Sequence, residues 1–134
     1  MTAKTSREVA LDYVRAVGRQ APVEELAEHL APDFVFREWP NVLSPEAATR
    51  DREKTLDGFA QAHLVIGEQR YTIERVVSEG DSVVVELQWE ATARMELPYW
   101  SIGDRMRARI VSIFTVKDGL IGAQDSFDSY ETPA

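Results

Sequence analysis

The segment "GLIGAQDSFD", Gly119 to Asp128, reads as a closing strand in which Ile121, Ala123, Asp125 and Phe127 share one face. The other row, Gly122, Gln124, Ser126 and Asp128, can sit in water without cost. A carboxylate on an otherwise apolar, buried face has its pKa raised, which suits it to proton transfer near neutral pH. Asp125 is therefore the first candidate acid or base. The alternative is a structural acid that bonds backbone amides and orients the sheet. His63, four residues after Phe59 on the apolar face of a helical segment, is a candidate accessory acid or base, or else a satisfied boundary residue.

Around these groups, Trp39, Trp89, Leu87 and Phe127 are candidate walls of an apolar pocket, and equally candidate core. "MELPYWSIG", Met95 to Gly103, is unusually apolar for a hairpin tip and brings in Trp100; it reads as a lid over a cavity or a contact between subunits. Arg105, Arg107 and Arg109 alternate along one strand, as Glu86 and Glu90 do along its neighbour, so an outer-face charge ladder is expected. His29 falls on the polar side of its helix and is expected to be solvated. Two widely separated histidines and no cysteine give no metal-ligand spacing, so no metal is expected. Gly-x-Ser-x-Gly, a phosphate-cradling loop and a dinucleotide fingerprint are absent from the sequence, and no cofactor is expected.

The elements that must hold these residues change period midway. Thr5 and Glu8 form a capping-box pattern for a first helix to about Gly18. Pro22 opens a second helix, with Leu26 and Leu30 on one face, which stops at Pro32. After the extended piece "FVFREWPN", Ser44 and Pro45 signal a third helix that presents Leu56, Phe59, Ala60, His63 and Leu64 and ends near Gly67. Then "RYTIERVV" and "SVVVELQWEATA" form one hairpin, and "RMRARIVSIFTV" with "LIGAQDSFDSY" the last pair. Three helices before four strands predict an α+β domain with helices on one face of an antiparallel sheet. An Asp118-Gly119 turn would pair Ser112 with Asp125, Phe114 with Ala123 and Ile110 with Phe127, on the helix-facing side. A three-residue loop would slip that register by one. The tail "YETPA" is expected to fray.

A chain of 134 residues, 44% hydrophobic, suits one domain spanning 1–134. Its 15 Lys+Arg against 23 Asp+Glu leave a net charge of -8, which disfavours nucleic acid and anionic membrane as partners. No apolar leader or membrane-length run is present in it, so a cytoplasmic protein is expected.

The three helices, the strand-rich second half and the ending "DGLIGAQDSFDSYE" resemble the cone-shaped nuclear-transport-factor-like superfamily, which includes ketosteroid isomerase, limonene epoxide hydrolase and SnoaL-type polyketide cyclases. The resemblance implies a curved, mostly antiparallel sheet, with a pocket between it and the helices. "DYVRAV" is similar to the segment bearing the oxyanion tyrosine of ketosteroid isomerase, which implies that role for Tyr13. "FVFREWP" is similar to the segment bearing its general base, which implies Glu38. The strand position of its second oxyanion donor is Ser112 here, a departure from the steroid-isomerase pattern. "DSFD" is similar to the ending of limonene epoxide hydrolase and sets Asp125 at its catalytic aspartate. The Arg-x-Asp partner motif of that enzyme has no clean counterpart.

The expectation is a cofactor-independent acid–base enzyme acting on a hydrophobic small molecule by isomerisation, cyclisation, dehydration or epoxide opening. Its catalytic residues would be Asp125, Tyr13, Glu38 and His63, and its pocket lining Trp39, Phe59, Leu87, Trp89, Trp100, Ile110, Ser112, Phe114 and Phe127. The rival expectation is a non-catalytic ligand-binding module of the same fold. A homodimer is expected in either case.

Overall fold

A computed structural model describes residues 3–133. The helices are α1 (Ser6–Gly18), α2 (Val23–Ala27) and α3 (Arg52–Val65). The strands are β1 (Leu30–Glu38), β2 (Ala48–Asp51), β3 (Ile66–Glu79), β4 (Ser82–Ala93), β5 (Arg105–Lys117) and β6 (Leu120–Tyr130). The six strands form one curved, unclosed sheet in the order β2-β1-β6-β5-β4-β3, antiparallel except where β1 runs parallel to β6. The fold is thus the expected α+β layering of three helices on one sheet.

α1 begins where expected: the Thr5 hydroxyl accepts from the Glu8 amide, and the Glu8 carboxylate reaches back to Thr5, closing the capping box. Its apolar stripe, including Val9, Tyr13 and Val14, is buried against the concave face of the sheet. α2 is shorter than expected, because Leu30 leaves the helix and opens β1. α3 does not start at Ser44-Pro45. Asp51 is its cap, accepting from the Lys54 amide at 2.9 Å, and β2 occupies part of the segment read as helix. An aspartate before a run of charged residues caps a helix as well as a serine does, and Asn41 holds the Ser44 region in a turn by accepting from the Leu43 and Ser44 amides. The tail holds on past β6: the Glu131 amide donates to the Arg107 carbonyl at 2.9 Å. Ala134 lies outside the described residues.

The β5–β6 hairpin departs most from expectation. Asp118 and Gly119, both at positive φ, make the two-residue turn, and Lys117 pairs with Leu120. Val116 then faces Ile121, but Thr115 faces Ala123, so Gly122 is an unpaired bulge residue. Because strand side chains alternate, one extra residue exchanges the faces of everything after it. Ser112 therefore pairs with Ser126, Phe114 with Gln124 and Ile110 with Asp128, and Asp125 pairs with Ile113. The register expected from burial is corrected: Gln124, Ser126 and Asp128 face the helices, while Ala123, Asp125 and Phe127 face outward.

Deleting Gly122 would bring Ala123 directly after Ile121 while keeping it opposite Thr115, so the bulge closes and Asp128 stays inside with Asp125 outside. The expected cost is about 0.5–3 kcal/mol, from the lost local bend. Gly122→Ala, whose Cβ would meet only the Thr115 carbonyl oxygen at 4.0 Å, should cost under about 1 kcal/mol. Urea unfolding of both variants checks this.

Candidate functional site

The concave face carries two adjoining chambers. The main chamber, about 470 Å³, has mostly apolar walls that include Phe36, Leu43, Phe59, Trp89, Leu97, Met106 and Tyr130, with Glu38 and Arg50 as its charged pair. The inner chamber, about 160 Å³, is lined by Phe36, Phe59, Leu87, Ile110 and Phe114, and carries a polar set of Tyr13, Tyr71, Ser112, Gln124, Ser126 and Asp128. Phe36 and Phe59 line both and divide them. A side chamber of about 330 Å³, bounded by α2, α3 and the start of β3, also meets Phe59 and contains His63.

Strand alternation places the acids. On β1, Phe36 and Glu38 point inward while Arg37 and Trp39 point outward. The Glu38 carboxylate accepts from Asn41 Nδ2 at 2.9 Å and pairs with Arg50 Nη2 at 2.9 Å; its side chain is 13% exposed. Arg50 also lies 5.4 Å over the Phe36 ring, so one guanidinium fixes both an acid and a chamber wall. On β6, the Ser126 hydroxyl donates to Asp128 Oδ1 at 2.7 Å. Burial pushes the Asp128 carboxyl above the usual carboxylate range; the Ser126 bond works against this and the Glu38 charge adds to it. Burial likewise raises the Tyr71 and Tyr130 phenols, with a further contribution from Asp128.

Tyr13 projects from α1 into the inner chamber, edge-on to Phe59 at 6.4 Å and to Phe114 at 6.1 Å. Its hydroxyl is buried and has no hydrogen-bond partner. An unsatisfied buried donor carries a desolvation cost that an acceptor in the chamber would remove. Ser112 is engaged instead, accepting from Gln124 Nε2 at 3.3 Å.

The residues expected to act together are divided. Tyr13, Phe59, Leu87, Ile110, Ser112 and Phe114 share the inner chamber, and Glu38 and Trp89 line the main one. Asp125 is on the opposite face of the sheet: Trp39 Nε1 donates to it at 3.1 Å, Arg37 lies 3.8 Å away, and its side chain is 30% exposed. Trp39 and Phe127 stack on each other there, with ring centroids 5.7 Å apart, and do not wall the cavity. The bulge turns Asp125 and Phe127 outward, and alternation along β1 does the same for Trp39. His63 is exposed on the side chamber rather than beside the acids. Ala60 and Leu64 are exposed as well, because α3 is rotated so that Thr55 and Phe59 face the sheet.

Trp100 is buried, but against the Tyr130 ring at 5.9 Å rather than lining a chamber. From the same tip Leu97 reaches the main chamber, while Met95, Tyr99 and Ile102 are exposed. His29 is half-buried rather than fully solvated: it sits 5.8 Å from the Tyr13 ring, and burial lowers its pKa. The charge ladder is on the outer face as expected, with Arg107 on Glu90 and Arg109 on Glu86 and Glu74. Arg105 instead donates to the Glu68 carbonyl and the Thr92 hydroxyl.

Asp128, Tyr71, Tyr130 and Arg50 escaped sequence reasoning. For Asp128 there was a signal, since an isolated glycine within a strand marks a bulge. Among the described residues no cluster of His, Cys, Asp and Glu could hold a metal, and no helix is long and apolar enough to cross a membrane.

A curved sheet and three helices around an apolar cavity with inward acids define the nuclear-transport-factor-like class of α+β cones. Within that class the chain belongs to the SnoaL-like domain family, whose model matches residues 10–123. Its structure is similar to IdmH of Streptomyces antibioticus, a candidate polyketide cyclase, at 21% identity over 93% of this chain and 92% of that one, with a TM-score of 0.77. A protein of ketosteroid isomerase-like fold from Catenulispora acidiphila, solved with trimethylamine, is 17% identical over 93% and 88%, with a TM-score of 0.73. A candidate ketosteroid isomerase from Kribbella flavida is 26% identical over 96% and 82%, with a TM-score of 0.65. No curated protein matches the sequence.

Because Asp128 has a raised folded pKa, the folded state binds more protons than the unfolded state between the two values. Stability from this group is present below the unfolded pKa and is lost as pH rises through the folded one. Asp128→Asn should therefore melt higher than the parent at pH 7, with the difference shrinking as pH falls into the ordinary carboxylate range. Thermal melts across pH measure it.

Proposed function

We propose that this protein is an acid–base enzyme that uses its own carboxylates on a hydrophobic small molecule, by isomerisation, cyclisation, dehydration or a related proton transfer. The observation that carries the reading is the inward row of β6. It sets Asp128, with its acid form favoured by burial, in the same small chamber as the unpaired Tyr13 hydroxyl. In this reading Asp128 moves the proton, Tyr13 donates a hydrogen bond to the oxygen on which charge develops, and Glu38, held by Arg50 and Asn41, is the second carboxylate. Two acids in unlike surroundings hold unlike protonation states, which proton transfer in two directions requires. Asp125 and His63 have no part in it, the one being on the outer face and the other on the side chamber. Ser112, where ketosteroid isomerase resemblance calls for an acid, favours the cyclase side of the family over steroid isomerisation.

The second reading is a non-catalytic ligand-binding module. One observation favours it: Glu38 lines the main chamber and Asp128 the inner one, with Phe36 and Phe59 between. We also propose a cytoplasmic homodimer joined through the outer face, where Trp39, Ile113 and Phe127 are exposed together.

Exchange of the α-protons of 2-tetralone in deuterated water, followed by NMR, separates the two readings. Catalysed exchange should fall by about 10²–10⁴-fold in Asp128→Asn and stay unchanged in Asp125→Asn. Binding without exchange, or full exchange in Asp128→Asn, would sink the catalytic assignment. For the assembly, Phe127→Arg should shift a dimer to monomer in sedimentation velocity.

A further inference from the structure

α3 is weakly embedded for its length. Of its 14 residues only Thr55 is buried, and Leu56 and Phe59 are half-buried. Helices in proteins owe most of their stability to a packed apolar face, yet this face looks onto empty space: Thr55, Gly58, Phe59, Ala62 and Val65 all line the main chamber. Gly58 is the most informative of them. It lies in the helix interior with no positive φ, and an added Cβ would meet no atom within 4 Å. Neither backbone conformation nor close packing calls for glycine there, and glycine weakens a helix relative to alanine. Gly58 is exposed where the main chamber opens, so what its missing side chain leaves is room at the chamber mouth.

A second observation points to what fills that room. Beyond Phe59, which borders the main, inner and side chambers, lies the Tyr13 hydroxyl, buried and without a partner. The space on the Gly58 side is about 470 Å³, within the size of small-molecule sites, whereas that around Tyr13 is about 160 Å³. The charged pair of the main chamber, Glu38 and Arg50, is neutralised internally at 2.9 Å. We infer that Gly58 and Phe59 are specificity-determining residues of a site for a neutral apolar molecule with a bulky body and one slim end. The body packs on Gly58, and the slim end passes Phe59 and carries a hydrogen-bond acceptor to Tyr13. The ligand then completes the packing that α3 lacks. This rests on the cavity being the ligand site, as in the proposed function, and does not depend on catalysis.

The probe is Prodan, a neutral naphthalene with a propionyl carbonyl at one end, whose emission reports polarity and hydrogen bonding. Wild type should bind it with blue-shifted emission. Gly58→Leu should weaken binding by about 10-fold or more, the scale of one overpacked side chain. Gly58→Ala should melt roughly 2–4 °C higher than wild type, and Tyr13→Phe should alter the bound emission. Phe59→Ala supplies a second arm, read as a ratio in which any loss of helix packing common to both probes cancels: it should raise the affinity for Laurdan, the analogue with a longer acyl end, relative to Prodan. A folded Gly58→Leu protein that binds as wild type does, an unchanged Laurdan-to-Prodan ratio, or no binding by wild type overturns the inference. The catalytic reading is tested separately through exchange by Asp128→Asn, so the two failures are distinguishable.

Discussion

The bulge at Gly122 decides which side of β6 meets the helices, and the concave chemistry follows from it. A strand has a period of two, so a single inserted residue is the smallest change that exchanges its faces. Before the bulge, Ile121 continues the apolar interior with Val116. After it, the inward row becomes Gln124, Ser126, Asp128 and Tyr130. The same step expels Asp125 and Phe127, which find Arg37 and Trp39 on the neighbouring strand. Without it the concave face of β6 would be apolar apart from one acid, which the Arg37 and Trp39 side chains could no longer reach.

An inward polar row is costly, and the structure confines the cost to a small volume. The fully apolar core lies beneath α1, where Val83, Val85, Phe114 and Ile121 pack with Val9, Ala10 and Val14. Towards α3 the sheet faces cavity instead of side chains. Asp128 is partly compensated by Ser126, and Glu38 by Arg50 and Asn41. The Tyr13 hydroxyl is left uncompensated. Packed core and cavity thus adjoin on the same concave face, and Val14 and Phe114 belong to both.

The outer face divides in a different way. Across β3, β4 and β5 the arginine and glutamate side chains neutralise one another, pairs that contribute little individually at an exposed surface. They do keep an open sheet from presenting a continuous apolar face. Across β1, β6 and the far half of β5 that protection lapses, and Trp39, Ile113 and Phe127 stand exposed.

Local signals in the sequence were sufficient wherever the determining interaction is local. The capping box at Thr5 and Glu8, the Asp118-Gly119 turn, the hairpin pairs and the charge ladder all depend on residues within a few positions or on simple alternation, and all were legible. The α+β layering followed from the change of period, and the cavity-facing positions of Tyr13 and Glu38, though not their roles, from motif resemblance. The start of α3 is not legible locally, because Ser44-Pro45 and Asp51 are both good local signals and only the pairing of β2 with β1 chooses between them. The burial of Asp128 and exposure of Asp125 were decided by tertiary structure. Alternation gives two equally regular faces, and which one is inside depends on a register set by partners far along the chain. Gly122 permitted the bulge, but only the packing of β6 between β1 and β5 beneath the helices required it.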